Sequence, residues 1–144
     1  MMHQYKIRGL VVLVSLFVFL NTVYAEKKEK VQRAIFTTKI VDREPIDQVL
    51  VLNNNSKEVS FFTDLRHFDN QIVTHKWIYN NKTESVIRFK VKGPRWRVYS
   101  TYNIKPTQLG KWSVIVQNDK GISVKASVFR LVDKLDEQVI LPKP

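Results

Sequence analysis

The densest chemistry in the sequence lies between His75 and Tyr99. Here His75, Arg88, Arg95 and Arg97 fall among Trp77, Trp96 and Tyr99. An arginine fork grips a carboxylate or phosphate through paired hydrogen bonds, and a flat ring stacks on a sugar or a guanidinium. Arg88, Arg95, Trp96, Arg97, His75 and Tyr99 therefore suit an anion or glycan platform. The competing reading assigns the tryptophans to a core, as the buried tryptophan of a β-sandwich is. Trp77 and Trp112 fit the core better, and Trp96, flanked by Arg95 and Arg97 after Gly93-Pro94, fits either. A second set is Arg43, Glu44 and Asp47 around Pro45. It reads as a loop clamp pairing with Arg33 or with the Arg95/Arg97 stretch, or as a loop presented to a partner.

Catalytic and metal chemistries find little to work with. Beyond residue 25 the histidines are His67 and His75, eight apart, which suits neither a helical metal pair nor an alternating strand pair, and no third ligand stands out. Ser100, His75 and Asp64 could be assembled into a triad on paper, but the glycine pattern of a nucleophile elbow is missing around Ser100. Glu44, Asp47 and Asp64 sit in an arginine-rich setting that keeps carboxylates ionised, so they make poor general acids. With four glycines in all, no phosphate-cradling loop is present, and the absence of cysteine removes thiol chemistry. No catalytic residue, metal or cofactor is expected, and a hydrolase is the weakest of the functional alternatives.

The elements that must position these residues are strands. From Val31 onward the pattern has period two, cut by turn residues. Ala34–Val41, Val49–Leu52 and Val59–Thr63 are short β-branched and aromatic runs, with Pro45 marking an edge or a turn. Ile72–Tyr79 and Ser85–Val91 flank Asn80-Asn81-Lys82-Thr83, a hairpin signal. Trp96–Tyr102 follows Gly93-Pro94, and Trp112–Val116 and Ile122–Phe129 surround Asn118-Asp119-Lys120-Gly121. Alternation places Arg95, Arg97 and Tyr99 on one face of their strand, with Trp96 and Val98 on the other. About seven short strands at this spacing predict an all-β fold, a small antiparallel immunoglobulin-like β-sandwich, with a small β-barrel as the alternative.

The chain ends and the charge bear on where such a domain works. Lys6 and Arg8 precede the apolar run Leu10–Leu20, and Val23 and Ala25 stand where a signal peptidase reads. The run is well short of the roughly 20 residues a stable span requires. Residues 1–25 are thus expected to be a cleaved signal peptide, with an uncleaved anchor in the inner membrane as the alternative. Residues 26–32 read as a charged spacer, 33–131 as the β-sandwich domain and 132–144 as a C-terminal tail. The formal charge is +11, and +9 once Lys6 and Arg8 are removed. In an exported, periplasmic setting such a surface favours anionic polysaccharide or lipopolysaccharide, whereas nucleic acid fits the charge but not the compartment.

Arg33-Ala-Ile-Phe-Thr-Thr38, Asp42-Arg-Glu-Pro-Ile-Asp47, Phe62-Thr-Asp-Leu65, His75-Lys-Trp77 and Gly93-Pro-Arg-Trp-Arg97 occur in that order, followed by Ser100-Thr101, Gly110-Lys-Trp112 and Asn118-Asp-Lys-Gly121. Together they resemble a bacterial domain family of unknown function, number 2914, over about Val31 to Leu131. Ser100-Thr-Tyr102 and Leu65–Asn70 depart from the family pattern. The resemblance implies an exported or membrane-tethered domain and no reaction. The resulting expectation is a non-catalytic envelope binding or interaction module for anionic glycan or lipid head groups. The alternative is an accessory subunit that docks on another envelope protein through a free strand edge or its tail.

Overall fold

The chain reverses sharply where its turn residues say it should. Asn80 and Asn81 both adopt left-handed backbone (φ 48° and 59°), the conformation of a two-residue primed hairpin turn that asparagine tolerates. At the second hairpin, the Asn118 side-chain carbonyl accepts the backbone N–H groups of Lys120 (3.1 Å) and Ile122 (3.0 Å), and Gly121 supplies φ 75°. A computed structural model describes residues 25–144. The signal-peptide reading falls on residues that lie outside this range, Ala25 excepted. The described elements are β1 (Lys30–Thr37), β2 (Ile40–Val41), β3 (Glu44–Pro45), β4 (Asp47–Asn53), β5 (Glu58–Arg66), β6 (Ile72–Tyr79), β7 (Lys82–Lys90), β8 (Arg95–Asn103), β9 (Gly110–Gln117), β10 (Ser123–Val132) and β11 (Val139–Pro142). Among the described residues there is no helix, and so none long and apolar enough to cross a membrane.

The strands form a three-stranded sheet, β1-β5-β8, a six-stranded sheet, β11-β4-β10-β9-β6-β7, and the short β2–β3 hairpin. This is the expected sandwich and not a closed barrel, since each sheet ends in two different strands. In the lettering of immunoglobulin domains, β1, β5 and β8 take the places of A, B and E, and β10, β9, β6 and β7 those of G, F, C and C′. Pairing is antiparallel except between β4 and β10, which run parallel over Arg130–Val132. One boundary differs from the sequence reading. β1 begins at Lys30, inside the stretch read as a spacer, where Lys30 and Val31 pair with Arg66 and Leu65. The tail contributes β11, which pairs with β4.

The core lies between the sheets. Trp77 on β6 is fully buried and meets Phe36 and Phe61 edge-on at centroid distances of 5.8 and 6.4 Å. Trp112 on β9 is also buried, and its indole N–H donates to the Gln108 carbonyl at 3.0 Å. Burial of such aromatic and aliphatic surface is the main stabilising term in a chain without disulfides. The run read as one strand, Ala34–Val41, is broken after Thr37. Asp47 accepts hydrogen bonds from the Thr37 hydroxyl (2.7 Å), the Thr38 backbone N–H (2.8 Å) and the Thr38 hydroxyl, and so bends the chain out of the sheet. That bend sends β2 and β3 away as a separate hairpin.

Candidate anion-binding face

The three-stranded sheet shows the interior its apolar side and keeps an ionic face outward. A bulge at Gln32 lets Val31 and Ala34 both face inward, so Lys30 and Arg33 share the outer side. Register then aligns the outer residues in rows across the sheet: Lys30, Arg66 and Arg95; Arg33, Asp64 and Arg97; Ile35, Phe62 and Tyr99; Thr37, Ser60 and Thr101. β5 is the middle strand and is buried on both sides.

Two carboxylates organise the arginines. Asp64 is almost fully buried, and its Oδ2 lies 3.1 Å from Arg66 and 3.6 Å from both Arg33 and Arg95. Its Oδ1 is buried without a hydrogen-bond partner. Glu44, brought in by the β2–β3 hairpin, accepts a bidentate pair from Arg33 at 2.9 and 3.0 Å, a further bond from Arg97, and lies 3.6 Å from Lys143. The Arg33 hydrogen bonds, helped by Arg97, hold the Glu44 carboxyl well below its ordinary range, at about 2. The Arg33 guanidinium also stacks over the Phe62 ring at 4.8 Å. Glu44 and Asp64 are thus the pins that fasten the hairpin and β8 onto β1 and β5.

The cations outnumber these pins. Around this face stand Lys30, Arg33, Arg66, Arg95, Arg97 and Lys143, joined by Arg43 at the tip of the hairpin. Arg33 and Arg66 are committed to the carboxylates. Arg95 is 59% exposed in its side chain and touches Asp64 only at 3.6 Å, so most of its donors face water. Arg43 makes no ion pair among the described residues. It follows Asp42 in a turn where both residues have positive φ, 50° and 65°. A β-carbon at such a position is strained, and a hairpin of this type favours glycine second. Arg43, Arg97 and Tyr99 border a shallow groove of about 240 Å³ whose floor includes Phe62. Tyr99 is 49% exposed there and offers a flat ring beside the two guanidinium groups.

The sequence-derived platform is therefore divided by the fold. Arg95, Arg97 and Tyr99 share the outer face of β8, while Trp96 turns the other way and packs half-buried against the core. Arg88 lies on the exposed side of β7 in the opposite sheet, beside Thr74 and Lys76. His75 is not on any surface. It is fully buried, with Nδ1 2.9 Å from the Ser100 hydroxyl and Nε2 3.0 Å from that of Thr63, while the Trp77 indole donates to Ser100 at 3.0 Å. Burial without a charged partner pushes its pKa down to about 3, so the ring is neutral. The paper triad fails geometrically, because the second nitrogen meets Thr63 and Asp64 points out of the other side of β5. Of the second set, Glu44 is an ion-pair pin, Asp47 a hydroxyl and amide staple, and Arg43 an exposed tip. Phe62 and Arg66 escaped the sequence reading, although Ser60, Phe62, Asp64 and Arg66 alternate along β5. Among the described residues no cluster of acidic, histidine and cysteine side chains could hold a metal ion.

Residues 70–131 match the model of a family described as protein of unknown function (DUF2914). Over that segment the resemblance holds. The DUF2914 match takes in β6 to β9 and nearly all of β10, including Arg88, Arg95, Trp96, Arg97 and Tyr99. β1 to β5 lie before it, and with them the hairpin that carries Arg43 and Glu44. No curated protein matches the chain.

Proposed function

We propose that this chain is a non-catalytic binding module of the bacterial cell envelope, working after export in the periplasm. It holds the phosphate or carboxylate groups of anionic glycans or lipid head groups on the outer face of β8 and the β2–β3 hairpin. One observation carries the reading. Arg43 and Arg97 flank Tyr99 at a groove floored by Phe62, Arg95 stands beyond Arg97 on the same outer face of β8, and the carboxylates of Glu44 and Asp64 neutralise only part of the surrounding charge. Guanidinium groups are less strongly hydrated than ammonium groups and present paired donors, so they recognise oxyanions with geometry as well as charge. The ring of Tyr99 adds a surface on which a sugar can lie. His75 and Ser100 belong to the core in this reading and serve no reaction.

Retention of the purified protein on lipopolysaccharide, on dephosphorylated lipopolysaccharide and on phosphatidylglycerol vesicles tests it. The expected result is retention at low salt on every phosphate-bearing support, falling at least tenfold at high salt and after phosphate removal. Retention on lipopolysaccharide alone identifies the glycan-borne phosphates as the source, and retention on vesicles identifies lipid head groups. Equal retention on uncharged supports, or none at either salt, contradicts the proposal.

A further inference from the structure

The sandwich is open along one side. The three-stranded sheet ends at β8 and the six-stranded sheet at β7, and these two strands lie across a gap from one another. Among the described residues β8 pairs with β5 alone, so one edge of its nine residues has no neighbouring strand. In immunoglobulin lettering this is the place of strand D, which no described strand fills. Behind the edge, Phe89, Trp96 and Val98 line the gap with apolar surface, and Phe89 and Trp96 are only half-buried. In front of it stand Arg95 and Arg97, on the outer side of the same strand.

We propose that the free edge of β8 is a strand-addition site for an extended polypeptide segment of alternating apolar and acidic side chains. This goes beyond the anion-binding reading, because the partner's backbone and not only its charge is recognised. An added strand extends the sheet through main-chain hydrogen bonds, while its side chains alternate between the two faces. One set enters the gap toward Phe89, Trp96 and Val98 and must be apolar. The other set faces Arg95 and Arg97 and is stabilised by negative charge, since opposite charges on neighbouring strands attract and like charges repel. The same rule excludes a second copy of this chain. The strand Arg95–Asn103 carries no acidic side chain to set against Arg95 and Arg97 of another copy, whereas an acidic partner supplies one at every other position.

The test is fluorescence anisotropy with a labelled nine-residue peptide of alternating glutamate and valine. Two comparison peptides carry lysine for glutamate, or the same charges with N-methylated backbone amides. The expected result is saturable binding of the first peptide, at least tenfold weaker binding of the other two, and slowed amide hydrogen exchange within residues 95–103. Slowed exchange of the β8 amides with the peptide, and not with inorganic phosphate, separates this site from the anion face. Equal affinity for the N-methylated peptide overturns strand addition while leaving the anion reading intact. No saturable binding at millimolar peptide also overturns it, as does a dimer in sedimentation whose β8 amides are protected without peptide.

Discussion

His75 and Glu44 show how single side chains set the acid behaviour of this fold. Folding lowers the pKa of His75 from 6.5 to about 3 through burial. The unfolded chain therefore takes up a proton at His75 first, and the stability this residue contributes is complete above pH 6.5 and lost as the pH falls toward 3. The loss is about 1.4 kcal/mol per pH unit while only the unfolded chain is protonated there. Glu44 acts in a lower window. Its pKa falls from 4.5 to about 2, mainly through the Arg33 hydrogen bonds, so its contribution is present above pH 4.5 and lost below it. Denaturant unfolding of His75→Gln between pH 7 and pH 5 should show a flatter pH dependence than the wild type. A parallel acid limb in the two proteins would show that His75 is not the group being titrated. The burial of His75 was legible in the alternation Val73, His75, Trp77, which puts the histidine on the face of a core tryptophan. Its grouping with the arginines came from nearness in sequence, and nearness along a strand says nothing of which side a residue leaves.

Among the elements, the β2–β3 hairpin links the scaffold to the proposed function most directly. Asp47 bends the chain away from β1, Glu44 pins the hairpin to Arg33 and Arg97, and the turn then holds Arg43 outward with φ 65°. An arginine in that conformation costs about 1 kcal/mol relative to a residue free to adopt it. Arg43→Gly should therefore leave stability unchanged or raise it by about 1 kcal/mol, while retention on lipopolysaccharide falls several-fold. Chemical denaturation and the retention assay, run on one preparation, read both effects. A stability loss beyond about 1 kcal/mol would mark Arg43 as part of the clamp. The other hairpins were plain in the sequence, because Asn80-Asn81 and Asn118 to Gly121 carry their own turn chemistry. The hairpin at Asp42-Arg43 was hidden by a pair of residues that turns of this kind disfavour. β11 and the start of β1 are held by pairing partners far along the chain, which local pattern does not reveal. The bulge at Gln32 breaks the alternation on which such a reading depends.

At the scale of the molecule, the two sheets distribute their guanidinium groups unequally. The three-stranded sheet has an outer face where seven cations surround Glu44 and Asp64 among the described residues, and β8 carries two of them at an open side of the sandwich. The outer side of the other sheet bears Lys76, Arg88, Lys90, Lys111 and Arg130, of which only Arg88 and Arg130 are guanidinium groups. Sequence alternation separated Arg95, Arg97 and Tyr99 from Trp96 and Val98, as the fold does. It could not separate Arg88 from Arg95, because which sheet a strand joins depends on pairings that close only in the folded chain. The central claim is that the outward arginines of the β8 face bind anions without being needed for the fold. The most direct measurement is retention on lipopolysaccharide, across a salt series, of the variant carrying Arg43→Ala, Arg95→Ala and Arg97→Ala, beside its thermal melt. Exposed ion pairs contribute about 0–1 kcal/mol each, so the variant should still fold, with a modestly lowered midpoint. Its low-salt retention should drop to the level the wild type shows at high salt. A folded variant that is retained as well as the wild type would contradict the account, and one that no longer folds would show these arginines to be scaffold.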